Sequence, residues 1–115
     1  MLYSEFLKKN EDYRLVYDDG RSRADRYLVM YIRKNGLTIN RLGISVSKKV
    51  GNSVVRHRFK RLVKEGYRLQ EAVFNSGLDI VIVARKEAST ADFYEIGDAL
   101  IHLGKLHHII DQNLL

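Results

Sequence analysis

The chain is 115 residues long, with 45% hydrophobic and 10% aromatic residues, no cysteine, no proline and a net charge of +6. That length fits a single domain spanning 1–115, the apolar content excludes a disordered chain, and the lack of cysteine excludes disulfides and thiolate zinc sites while suiting a reducing cytoplasm. The charge is segregated: Arg26 to Lys64 holds eleven Lys and Arg residues and no acid, against nine cations and fourteen acids elsewhere, a directed field that favours nucleic acid over an anionic membrane surface.

The first segment, MLYSEFLKKNEDYR, holds no apolar run long enough for a signal sequence. Phe6, Leu7, Tyr13, Val16 and Tyr17 recur at near-helical spacing, and a short first helix is expected over roughly 3–12. Asp19-Gly20 signals a turn. RYLVMYIR at 26–33 reads as a strand, and Asn35-Gly36 as the turn after it. RLGISVS at 41–47 alternates Leu42, Ile44 and Val46 with Gly43, Ser45 and Ser47, a half-buried strand with one bare face. That face either leaves room for something flat or receives a closely packed helix; both stay open at this point. LDIVIVAR at 78–85 is a near-continuous apolar run, as in a strand buried on both faces. Ser89-Thr90-Ala91-Asp92 offers a capping box through Ser89 and Asp92. Phe93, Ile96, Leu100, Leu103 and Ile110 then line one face of a final helix. No segment approaches membrane-spanning length. The expected fold is an α+β sandwich: helix, two or three strands, helix, strand, helix.

Between the strands expected at 41–47 and 78–85 lies KKVGNSVVRHRFKRLVKE, residues 48–65. Asn52 or Ser53 caps a helix there. At about 100° per residue, Val55, Phe59, Leu62, Val63 and Gly66 share one face. Arg56, His57, Lys60, Arg61 and Lys64 gather opposite, with Arg58 on the flank near Leu62. Arg56, Lys60 and Lys64 repeat at spacings where like charges destabilise a helix by a few tenths of a kcal/mol each, and several sit at its positive dipole end. Local rules broken without internal gain point to function. Phosphates remove the conflict by accepting guanidinium contacts and binding helix amides. A helix-turn-helix reader is disfavoured because a strand precedes the basic helix. RNA recognition by phosphate contacts and aromatic stacking fits better, with Tyr13, Tyr17, Tyr27 and Tyr31 near the basic region. For these tyrosines stacking and core packing are both open.

The same stretch resembles the signature of the bacterial ribonuclease P protein component: lysine pair, apolar, Gly-Asn, small, apolar pair, Arg-Asn-Arg, apolar, Lys-Arg. The likeness extends to NEDYRLVYDDGRS, to LGISVSKKVG and to DIVIVARKEAS, in order, over roughly residues 4–105. It implies an α-β-β-β-α-β-α fold with an uncommon left-handed βαβ crossover through the basic helix. It also implies a role beside a catalytic RNA that, with Mg²⁺, removes the 5′ leader from precursor tRNA. By that resemblance Arg56, Arg58, Lys60 and Arg61 contact the RNA subunit, with Lys48, Lys49, Asn52, His57 and Lys64 adjoining. Tyr13, Tyr17 and Tyr31 match the aromatic positions of a central cleft for the single-stranded leader, bordered by Ser45 and Ser47. One letter departs from the signature. His57 stands where the family has Asn, and neutral imidazole offers one donor and one acceptor in a different geometry.

A protein nuclease needs acid–base groups converging on a phosphate, or carboxylates holding metal. The basic region has no carboxylate and only His57. His102, His107 and His108 are expected on the exposed side of the last helix, and Asp18-Asp19 as turn formers. No catalytic residue, no metal site and no cofactor bound by the protein alone are expected, nor a membrane or obligate protein partner. A generic RNA-binding module without a catalytic partner is the other reading of the residues.

Overall fold

The computed structural model describes residues 4–115. Five strands form one sheet: β1 (Ser4–Phe6), β2 (Arg21–Ala24), β3 (Leu28–Lys34), β4 (Asn40–Ser45) and β5 (Leu78–Ala84), in the spatial order β1-β4-β5-β3-β2. Helix α1 (Asn10–Asp19) follows β1, α2 (Ser53–Gln70) links β4 to β5, and α3 (Phe93–Leu106) follows β5. After β1 the order is the expected α-β-β-β-α-β-α. β4 and β5 are parallel neighbours joined through α2, while β3 runs antiparallel to β5 and β2.

Two expectations shift at the N-terminus. Residues 4–6 are a strand parallel to β4, with Ser4 beside Asn40 and Phe6 beside Leu42. The helix placed over 3–12 starts at Asn10 instead, and residue 3 lies outside the described residues. Leu7 is buried by backbone pairing, its amide bonding the Leu42 carbonyl at 2.8 Å, rather than by a helical stripe. Glu11 and Asp12 then favour the new helix start through the dipole. β2 reads RSRA, exposed throughout, so no apolar alternation announces it.

α2 and α3 bury one face of the sheet, and α1 covers part of the other. Phe59, Val63 and Tyr67 of α2, with Ile96, Leu100 and Leu103 of α3, pack on Leu28, Met30, Leu42, Ile80 and Ile82. Each such side chain contributes about 1.5–3 kcal/mol by leaving water, so a few of them outweigh the like-charge repulsion along α2. A smaller cluster of Leu7, Val16 and Val81 lies under α1. β5 faces both clusters, as its apolar run requires. The α3 cap falls one turn later than expected: Asp92 accepts the Glu95 amide and Glu95 returns a bond to the Asp92 amide, while Lys86–Thr90 forms a separate short turn.

Candidate nucleic-acid interface

Asn52 opens α2, its Oδ1 accepting the Val55 amide at 3.0 Å, which leaves its Nδ2 free to donate outward. Gly51 lets the preceding loop lie against the first turn, since a Cβ there would meet the Val55 side chain at 2.7 Å. Lys48 and Lys49 are exposed in that loop. The helix then presents its cations in three directions rather than on one face. His57 and Arg61 point to solvent. Lys60 and Lys64 turn toward α1 and β1, where Lys64 Nζ stands 5.2 Å from the Phe6 ring centre in a cation–π contact. Arg56 and Arg58 are half-buried: Arg56 donates to the Gly51 carbonyl at 3.2 Å, and Arg58 to the Ala91 carbonyl at 2.9 Å. Each guanidinium keeps further donors. Among the described residues the ion pair on α2 is Arg68 with Glu65, toward its C-terminal end, while Lys48, Lys49, His57, Lys60 and Arg61 have no side-chain partner.

On the opposite side of the sheet, strand register sets out rows of side chains. One row is Gly43, Val81, Tyr31 and Ser22; the next is Ser45, Val83, Val29 and Ala24. Helix α1 covers only the first. The Tyr13 ring lies on Gly43, where a Cβ would sit 2.8 Å away, so at this position the bare face receives a helix side chain. The Tyr13 hydroxyl donates to the Leu7 carbonyl at 3.4 Å and accepts the Ile44 amide at 3.3 Å, and burial pushes its pKa up. Tyr17 continues the line, 6.5 Å from Tyr13 and edge-on to Tyr31 at 5.0 Å. The second row stays half open as a floor beside the tyrosines. Across four strands it spans about 14 Å. Ser45 belongs to that floor, and Ser47 is exposed just beyond it, next to Lys48.

The two regions meet. Phe6, Leu7, Tyr13, Leu42, Ile44, Lys60 and Lys64 line one cleft of about 190 Å³. β1, which supplies Phe6, is tied to α2 by the Ser4 and Tyr67 hydroxyls at 2.9 Å, and the Tyr67 hydroxyl also takes a bond from Asn40. Tyr27 is not part of the tyrosine line. Its hydroxyl donates to Glu95 at the start of α3. Below the tyrosines, Arg41 grips buried Asp79 with two bonds of 2.8 and 2.7 Å and reaches Asp12 of α1 at 3.5 Å, fixing that helix to the sheet. Asp79 interrupts an apolar run and Arg41 pairs with it in register, a signal visible in the letters only once register is known. Asp19 pairs with Arg33 at 3.7 Å, so it does more than form a turn. His107 is not on an exposed helix face either: its Nε2 bonds the Met30 carbonyl at 2.8 Å.

Among the described residues no three His, Asp or Glu side chains come together as a metal site, and no helix is long and apolar enough to cross a membrane. A helix rich in cations, most of them without a carboxylate partner among the described residues, joins an aromatic cleft on a half-open sheet floor in an α+β protein. Comparison with known proteins places it more narrowly. Residues 1–107 match the family Ribonuclease P. The chain is 59% identical over 110 residues to the ribonuclease P protein component of Lachnoclostridium phytofermentans, covering 96% of this chain and 95% of that one. It is 54% identical to that of Alkaliphilus metalliredigens, over 84% and 87%. Its structure superposes on the ribonuclease P protein of Staphylococcus aureus with a TM-score of 0.84 at 34% identity, over 95% and 98% of the chains. For the Thermotoga maritima protein the TM-score is 0.80 at 34% identity, over 87% and 96%. The chain belongs to the ribonuclease P protein family. It is the protein component of that tRNA 5′-processing enzyme and works with the enzyme's RNA subunit.

Proposed function

We propose that the protein holds two RNAs at once. The outer face of α2 and its entry loop, through Lys48, Lys49, Asn52, Arg56, His57, Arg58 and Arg61, binds the RNA subunit. The cleft of Tyr13, Tyr17 and Tyr31, floored by Ser45 and bordered by Ser47, takes the single-stranded 5′ leader of precursor tRNA. Lys60 and Lys64 stand where the two meet and serve both. One observation carries the reading: Lys60 and Lys64 line the same cleft as Tyr13, while Arg61 on the helix and Lys48 and Lys49 in its entry loop stand exposed. Bases stack on aromatic faces at about 1–3 kcal/mol each, and cations between two polyanions offset their repulsion and hold the scissile region in place.

In this reading Mg²⁺ is held by RNA and substrate phosphates and catalysis belongs to the RNA subunit, a reading supported by the lack of a cluster of three His, Asp or Glu side chains among the described residues. The protein positions and neutralises, and it acts in the cytoplasm. The test separates the surfaces. Neutralising Arg61 lowers the salt slope of RNA-subunit affinity by about one per lost phosphate contact. Tyr31→Ala weakens discrimination between leader-bearing and mature tRNA and leaves that slope alone. If both variants change both quantities alike, the two-surface division is wrong.

A further inference from the structure

The sheet edge farthest from the basic helix carries a second cationic cleft. β2 is that edge, and Arg21 and Arg23 stand opposite Ile32 and Met30, which places them on the α3 side. The end of α3 closes against them. His107 caps the helix and bonds the Met30 carbonyl, while His108 takes the left-handed conformation at φ 59°. The amides of His108 and Ile109 return to the Lys105 and Gly104 carbonyls, both at 3.0 Å, a Schellman ending whose turning residue is normally glycine. Arg21, Ser22, Arg23, Leu106, His107 and His108 line a cleft of about 390 Å³. Neither arginine has a carboxylate partner among the described residues.

Two plainer accounts fall short. Charge on an edge strand deters strand pairing, yet that needs neither a cleft nor a histidine where glycine is favoured. Cations also suit a helix C-terminus, but the last carbonyls of α3 are already engaged by the His108 and Ile109 amides, and Lys105 supplies charge in the last turn. The line of Tyr13, Tyr17 and Tyr31 on the other face leads to Ser22, which lies beside Tyr31 in the ladder and between the two arginines in sequence. A strand leaving the tyrosines therefore crosses the edge at Arg21 and Arg23.

We propose that Arg21, Arg23 and His108 form a second phosphate-binding site, which takes the phosphodiester backbone of RNA where it passes over the β2 edge. His107 is the strut of the site: burial and the nearby Arg23, Arg21 and His108 hold its pKa down. The site rests on the function proposed above, and its phosphates come either from a leader longer than the tyrosine cleft or from the RNA subunit.

The experiment measures salt-dependent affinity of the assembled enzyme for precursor tRNAs with leaders of graded length, and of the protein for the RNA subunit alone. Arg21→Gln/Arg23→Gln should lower one salt slope by about two. A drop confined to long leaders identifies the leader as source; a drop with the RNA subunit alone identifies that subunit. His108→Gly should raise the melting temperature, since glycine takes positive φ freely, while weakening the affinity affected by the arginine pair about threefold. Unchanged slopes in both arms, with His108→Gly only raising the melting temperature, overturn the site. Lys60→Ala/Arg61→Ala in parallel tells which reading fails: if it lowers the slopes and the β2 variant does not, only this site is lost; if neither does, the proposed function falls with it.

Discussion

Gly43→Ala tests how the aromatic cleft is held. The added Cβ would sit 2.8 Å from Cε1 and 2.9 Å from Cζ and the hydroxyl of Tyr13. Carbon atoms in contact rest at about 3.5–4.0 Å, so the ring must retreat by about 1 Å. Its two hydroxyl bonds, already 3.3 and 3.4 Å long, would break. Overpacking of this kind costs about 1–3 kcal/mol, and replacing a strand glycine returns about 0.5–1 kcal/mol of backbone entropy. The net expectation is a loss of about 1 kcal/mol. A double-mutant cycle with Tyr13→Ala, read by urea denaturation, isolates the clash. Without the ring, Gly43→Ala should become neutral or stabilising, giving a coupling of at least about 1 kcal/mol. Precursor binding should weaken with the displaced ring while RNA-subunit affinity holds. Equal, stabilising effects of Gly43→Ala in both backgrounds would refute the placement of Tyr13.

Two further outcomes follow from the packing below and beside the cleft. Arg41→Ala leaves the Asp79 carboxylate, 1% exposed, without its cation, and should cost about 3 kcal/mol in urea denaturation; a loss under about 1 kcal/mol contradicts the pairing. The pKa of His107 is held below its usual 6.5, chiefly by burial and further by Arg23, Arg21 and His108, against a rise from its bond to Met30. Protonation therefore opposes folding: its stabilisation is present above pH 6.5 and is lost as pH falls through the lower folded-state value. His107→Gln should flatten stability against pH in that window, and an unchanged profile would contradict a buried, neutral imidazole.

What was legible in the letters was whatever an element's own periodicity settles. Phe59 and Val63 fall on the buried side of α2 because 3.6-residue spacing allows nothing else, and Leu42 with Ile44 mark β4 by alternation. What a helix wheel omits is the neighbour beyond each flank. Lys60 and Lys64 seemed to share one outer face with His57 and Arg61; β1, read as helix, turned out to supply the Phe6 wall they face. The wheel set Arg58 on the flank near Leu62, but the carbonyl that holds it there belongs to Ala91, thirty-three residues away. Tyr27 has the parity of Tyr31, yet the Asp25 carboxylate accepts the Tyr27 and Leu28 amides just before β3, and the ring goes to α3. β2 carries no apolar signal and exists because β3 offers it a ladder.

The central claim is that this chain supplies binding and charge while RNA supplies the chemistry. It is tested most directly by single-turnover cleavage of precursor tRNA at low Mg²⁺, with the RNA subunit of the same organism, with and without the protein. The account predicts that the protein raises the cleavage rate and that the protein alone cleaves nothing. Correctly folded protein that gives no stimulation, or that cleaves without the RNA subunit, would contradict it.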